Sequence, residues 1–342
     1  MGGGPSTPAL AAAVSAAGGF GFLAAGYRSP DALRDDIRAV RAETDRPFGV
    51  NLFVPSPPGD VGESVRRYAA SLKREAERYG VPLGEPRHDD DAWSEKLALV
   101  TEELVDVVGF TFGCPDPAVV EELRASGAAV WVTVTTAAEA GVANAAGADA
   151  LVVQGVEAGG HRGSFDDEAP GEVGLLALLQ LVGAVADLPL VAAGGLATGR
   201  GVAAALAAGA DAAALGTAFM LSPEAGTSAA HREALTGPSG TALTRAFTGR
   251  TARGIANRFL REHDAAAPSA YPEVHHLTAP LRAAAREGGD ADGFHLWAGQ
   301  AHTLAEQLPA GEIVRRLAQD AREALREAAG RLGDTADGWH GP

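Results

Sequence analysis

The chain has 342 residues, 46% of them hydrophobic and 21% charged, which is enough apolar material for a large buried core. A formal net charge of −16 without a basic run argues against nucleic acid and anionic membranes as partners. A single cysteine, Cys114, excludes an intrachain disulfide and multi-cysteine zinc frameworks, and with no leader-like opening a cytoplasmic setting is expected.

In chain order, seven short runs read as strands: GFGFLAA (19–25), FGVNLFV (48–54), VDVVGFT (105–111), VWVTV (130–134), ADALVVQ (148–154), PLVAAGG (189–195) and ADAAALGT (210–217). They are continuously apolar rather than alternating, as in parallel strands covered on both faces. Helices are predicted between them. Thr7–Pro8 and Ser29–Pro30 place a capping hydroxyl before a proline, Thr136 with Glu139 fits a capping box, and Thr198 caps a helix that Gly209 ends. Repeated βα units demand a parallel sheet, open or closed. Seven strands fall one short of a (β/α)₈ barrel. The opening MGGGPSTP leads directly into a helix, like a βα unit without its strand, so the expectation is a barrel whose first strand is missing ahead of Met1.

Residues 1–221 are thus expected to form the barrel, with an insertion at about 55–104 that begins PSPPGD and holds a helical pattern over 61–79. Residues 222–342 read as helices and irregular loops packing on the barrel.

Three strand ends carry glycine: Gly155 to Gly163, Gly194–Gly195, and Gly216–Thr217. Glycines that merely end strands are the plain reading of any one of these. Two such sites on the last two strands favour a phosphate cradle of backbone N–H groups. His161 lies on the first of these loops among small neighbours, in LVVQGVEAGGHRGSF (151–165). Either it is structural or it is an acid, base or hydrogen-bond donor beside a ligand. The other histidines are read as surface or structural. No HExxH-type pattern occurs, so no metal site is expected.

The run QGVEAGGHRG (154–163) resembles the signature of the nitronate monooxygenase (2-nitropropane dioxygenase-like) flavoprotein family, much of which flavin-type enoyl-[acyl-carrier-protein] reductases share. MGGGPSTPAL, GFLAAGY (21–27), PFGVNLFV (47–54), AAGGLATG (192–199), LGTAFM (215–220) and GRTARGIANRF (249–259) resemble further family segments in family order. The resemblance implies a TIM (β/α)₈ barrel that binds FMN without a covalent bond. It implies that Asn51 contacts the flavin ring, that Gln154 and Gly159 line the loop beside it, and that Gly195, Ala214, Leu215, Gly216 and Thr217 cradle the phosphate. Gly2–Gly3 would face the ring, and His161 would be the catalytic histidine. FHLWAGQAHTLA (294–305) resembles a closing segment that often has tyrosine where Trp297 stands. The implied reaction is oxidation of an alkyl nitronate, or a nitroalkane, by O2 to a carbonyl compound and nitrite, in a monomer or homodimer. An NAD(P)H-dependent reductase of enoyl-thioesters or quinones, and a non-catalytic flavin- or phosphate-binding barrel, are the alternatives.

Overall fold

The computed structural model describes residues 3–57 and 62–333. Its strands are β1 (Gly21–Ala24), β2 (Phe48–Phe53), β3 (Val107–Thr111), β4 (Ala129–Val134), β5 (Ala150–Gln154), β6 (Gly160–His161), β7 (Leu190–Ala193), β8 (Ala212–Ala214), β9 (Thr241–Thr244) and β10 (Ala252–Ile255). The seven expected runs form one parallel sheet in the order β1-β2-β3-β4-β5-β7-β8, curled as in a TIM barrel, with β1 and β8 at its edges among the described residues.

Continuous apolar character makes these strands central. Val50 pairs with Val108, Val108 with Val130, and Val132 with Leu151, and all five side chains are fully or almost fully buried. Each such burial is worth about 1.5–3 kcal/mol. The predicted caps form as read. Thr7, Ser29 and Thr198 accept from the backbone N–H three residues on, and Thr136 and Glu139 make a reciprocal capping box.

The region after Ser222 departs from the expectation of helices and loops. β9 and β10 pair antiparallel there, and β6 of the signature loop adds to β10 as a third strand. TALT, ARGI and GH are too short and too polar to give an apolar run, so neighbouring structure decides their state. The insertion helices Gly62–Ser71 and Lys73–Tyr79 do not join the barrel core. Their Val65, Tyr68 and Leu72 pack with Phe247, Phe259, Val274, Leu277 and Leu281 in a second apolar cluster. Insertion and C-terminal region thus build one cap. The helix Ala310–Gly333 returns to the barrel and lies against the helix Gly199–Ala207, so closely that a Cβ on Gly199 would stand 2.4 Å from Cβ of Asp320. No described helix is long and apolar enough to cross a membrane.

Tyr68 fastens the cap, buried with its hydroxyl donating to the Ala246 carbonyl at 2.7 Å. Tyr68→Phe orphans that carbonyl and is expected to cost about 1–3 kcal/mol. Tyr68→Ala also opens a cavity and is expected to cost about 3–5 kcal/mol, both read from urea-unfolding midpoints.

Candidate active site

The C-terminal ends of the barrel strands open into a cavity of about 1020 Å³, roofed by the cap. Asn51, Gln154, Gly159, His161, Gly195, Ala214, Leu215, Gly216 and Thr217 all line it, as does Gly3; Gly2 lies outside the described residues.

The barrel side is mostly backbone. After β7, Gly194 and Gly195 take left-handed φ values of +115° and +67°, which turn the chain sharply at the rim. After β8, Gly216 leads into a short 3₁₀ turn, Thr217–Phe219. The Thr217 hydroxyl accepts from Gly299 N at 3.0 Å, which ties this turn to the closing segment. Asn51 on β2 has its side-chain carbonyl engaged by the Thr111 hydroxyl at 3.1 Å, leaving its amide N–H₂ as the group for a ligand. Gly160 has φ +78°, and a Cβ there would meet nothing within 4 Å, so any side chain at this position would occupy open space on the cavity wall.

Gln154 is used differently from a free ring contact. Its amide oxygen accepts from Arg162 Nη1 (2.9 Å) and Gly163 N (2.8 Å), and its amide nitrogen donates to the His161 carbonyl (3.1 Å). The side chain braces the signature loop from inside. Arg162, fully buried, donates also to the carbonyls of Gln154, Gly155, Pro170 and Gly171. The far end of the loop is pinned by Glu139, whose carboxylate accepts from Phe165 N at 2.8 Å as well as from Thr135 and Thr136.

This bracing presents His161 on β6. Its Nε2 lies 2.9 Å from Thr248 Oγ1, and its ring is flanked by Phe112, Tyr271 and Trp297 at centroid distances of 5.6, 5.9 and 5.5 Å. Burial, reinforced by the cations Arg250 and Arg282, pushes its pKa down to about 3. His161 is therefore neutral near pH 7, with one donor and one acceptor nitrogen. The Thr248 hydroxyl is 3.3 Å from the Arg250 carbonyl. Donating there, it accepts Nε2–H and leaves the other ring nitrogen a proton acceptor. Turned toward Nε2, it makes Nε2 the acceptor and leaves the other ring nitrogen an N–H donor.

The roof holds mostly residues that the sequence did not single out, and three of the histidines read as surface or structural, His231, His275 and His295, line the cavity. Tyr27 and His275 stack at 4.2 Å, and Tyr27, His231, His275, Arg282, Arg286, His295 and Trp297 all face the cavity. Burial lowers His231 to about 4 and, with Arg282, His275 to about 2. His295 is pushed well below its usual value by burial and then by Arg282 and Arg286. The available signal was helical spacing: His275, Thr278, Arg282 and Arg286 follow one face of the helix Glu273–Glu287. On an isolated amphipathic helix such a face reads as solvated.

A model of the nitronate monooxygenase family matches residues 1–320. A nitronate monooxygenase of Pseudomonas aeruginosa is 44% identical over 331 residues, 93% of this chain and 94% of that protein. One of Paraburkholderia phytofirmans is 39% identical over 336 residues, 95% of this chain and 91% of that protein. Among solved structures, nitroalkane oxidase of Streptomyces ansochromogenes superposes with a TM-score of 0.93 at 51% identity, covering 96% of this chain and 95% of that one. FabK of Thermotoga maritima superposes at 0.75 with 30% identity, covering 96% and 94%. With its barrel, glycine-rimmed cavity and half-buried histidine in place, the chain belongs to the nitronate monooxygenase family.

Proposed function

We propose that this protein is an FMN-dependent oxidase of alkyl nitronates, or of the parent nitroalkanes, that forms a carbonyl compound and nitrite at the expense of O2. The observation that carries the reading is one cavity joining two glycine rim turns, Gly194–Gly195 and Leu215–Thr217, to the neutral, half-buried His161.

The residues present fit the flavin. The rim turns offer backbone to a phosphate with no side chain in the way. The open wall at Gly160 and the amide of Asn51 suit a flat, polar-edged ring. No dinucleotide fingerprint of the GxGxxG kind with a ribose-binding acid occurs, which favours a mononucleotide. Gly195, Ala214, Leu215, Gly216 and Thr217 would hold the phosphate; Asn51, Gly3 and the loop from Gln154 to Gly160 would border the ring. When bound, FMN supplies the one-electron chemistry that couples nitronate to dioxygen.

The chain's own residues do the rest. For a nitronate, a neutral His161 with its free nitrogen protonated donates a hydrogen bond to an anionic oxygen. For a nitroalkane, the alternative setting of Thr248 leaves that nitrogen to take the α-proton. The cost of charging a buried imidazole beside Arg250 and Arg282 falls when the product of that transfer is itself an anion in the same cavity. The aromatic walls of Phe112, Tyr271 and Trp297 keep water from the reacting carbon.

Purified protein is expected to carry FMN absorbing near 450 nm. That flavin should respond to anaerobic propionate 3-nitronate and not to NADPH; rapid bleaching by NADPH alone would instead identify a reductase. His161→Asn is expected to keep the flavin and lose about 10²–10⁴ in nitrite release, and unchanged turnover would remove His161 from the chemistry.

The buried histidines also set the pH dependence of stability. Unfolded, each takes up a proton near pH 6.5; folded, His161 does so only near 3 and His231 near 4. The unfolded chain therefore binds more protons between those values. The stability is fully present above pH 6.5 and is lost as pH falls, by up to about 1.4 kcal/mol per pH unit per histidine. His231→Asn is expected to flatten the slope of unfolding free energy between pH 6 and 4.5 by about one such increment, measured by urea unfolding at a series of pH values.

A further inference from the structure

The helix Glu273–Glu287 brings two guanidinium groups to the cavity wall one turn apart, the buried Arg282 and the more exposed Arg286. Neither meets a carboxylate among the described residues. Arg282 spends Nε on the Thr278 hydroxyl (3.0 Å) and Nη2 on the His275 carbonyl (2.7 Å). Their remaining polar contacts are to imidazoles, and Arg286 also lies 5.2 Å over the Phe294 ring. Arg282 Nη2 lies 3.3 Å from His275 Nδ1, Arg282 Nη1 lies 3.5 Å from His295 Nδ1, and Arg286 Nη2 lies 3.4 Å from His295 Nε2.

His295 cannot satisfy both arginines. It is buried and neutral, and a neutral imidazole has one lone-pair nitrogen and one N–H, whereas guanidinium has donors only. One of its two guanidinium contacts therefore sets N–H against N–H. The wall holds two positive charges and surplus donors where a buried cation ordinarily has an acceptor or a counter-ion. On the same cavity, the buried Thr227 hydroxyl has no hydrogen-bond partner. The subsite lies one indole away from the candidate catalytic histidine: Trp297 is 5.5 Å from the His161 ring and 5.0 Å from that of His295.

We propose that Arg282, His295 and Arg286 form a subsite for a singly charged planar oxyanion, built from other residues than the glycine turns Gly194–Gly195 and Leu215–Thr217. Two guanidinium forks match the two oxygens of a carboxylate or of nitrite. The occupant is either an acid group carried by the substrate's tail or a free oxyanion such as released nitrite. Since the chain as a whole carries −16, attraction is confined to this pocket and acts within roughly a Debye length, about 8 Å at physiological salt.

Titration calorimetry of the purified holoprotein, in a cationic buffer low in other anions, tests this without requiring turnover. It therefore reads the subsite even if nitronates prove not to be substrates. Sodium nitrite, sodium propionate and neutral propionamide are the probes. Saturable binding of an oxyanion, with none of propionamide, is expected. Arg286→Gln should weaken it at least tenfold, and Arg286→Lys, which keeps the charge and loses the fork, should fall between. Binding of nitrite but not propionate assigns the subsite to a free oxyanion; binding of propionate assigns it to a substrate's acid group. Failure of both anions to bind, or equal affinity in folded Arg286→Gln, overturns the proposal.

Discussion

The site depends on how one buried cation is satisfied. Arg162 is fully buried, and among the described residues no carboxylate bonds to it. Desolvation of such a group is costly unless every N–H finds an acceptor. Here the acceptors are the carbonyls of Gln154, Gly155, Pro170 and Gly171 and the side chain of Gln154. These belong to the loop itself, so the loop can bury Arg162 only by wrapping around it. That wrapping fixes the backbone on both sides of His161, lets β6 pair with β10, and sets the imidazole under Thr248. The same loop is stitched outward. Glu157 accepts from Leu175 N at a helix start, its carbonyl accepts from Gln300 N, and Arg253 holds the Val156 carbonyl. Glycine density, which alone would make this loop entropically expensive to order, is offset by an arginine with five acceptors.

Electrostatics inside and outside the molecule have opposite sign. The acidic excess sits largely at the surface, where pairs such as Arg67 with Glu63 are exposed and individually weak. The cavity roof is cationic. Arg250 lies 4.0 Å over the Phe112 ring, and Arg282 and Arg286 follow behind His275 and His295. Neutral histidines separate these charges, because protonating any of them would add a further cation to an enclosure that is already positive. The arrangement favours an anionic guest and an imidazole that is uncharged when the guest arrives.

Sequence alone made the barrel legible because its strands, buried on both faces, are unbroken apolar runs such as VDVVGFT and VWVTV, and because hydroxyl caps at Thr7, Ser29, Thr136 and Thr198 act over three residues. His161 and the glycine turns were legible from a contiguous motif. The roof was not. Thr248 stands 87 residues from its imidazole partner, and β9 and β10 are four-residue strands rich in Thr and Arg whose pairing is tertiary. Arg282 looks like the wet side of an amphipathic helix, yet with residues 62–79 packed beside that helix it is buried. Gln154 was placed by its motif in the right loop, yet its amide is consumed by Arg162, Gly163 and His161, a bond set that no spacing rule encodes.

The division between barrel and cap follows from these contacts and bears on how one fold serves several chemistries. The barrel contributes backbone at the glycine turns, where side-chain identity matters little, and this is the natural part for a cofactor common to many members. The cap contributes side chains: Tyr271, His275, Arg282, Arg286, His295 and Trp297. The two halves are joined at Tyr27, which holds a left-handed φ of 66° with its backbone N–H on Asp91. Asp91 is paired in turn with the buried Lys96 at 2.7 Å. The Tyr27 ring then lies parallel to His275 of the cap, 2° from coplanar, and its hydroxyl meets that of Tyr271. A change in the cap can therefore reshape the guest-facing wall while this hinge of aromatic and ionic contacts keeps it in register with the glycine rim. Trp297 is such a wall residue: its ring lies 5.5 Å from that of His161 and 5.0 Å from that of His295, so a change there alters the surface beside both imidazoles.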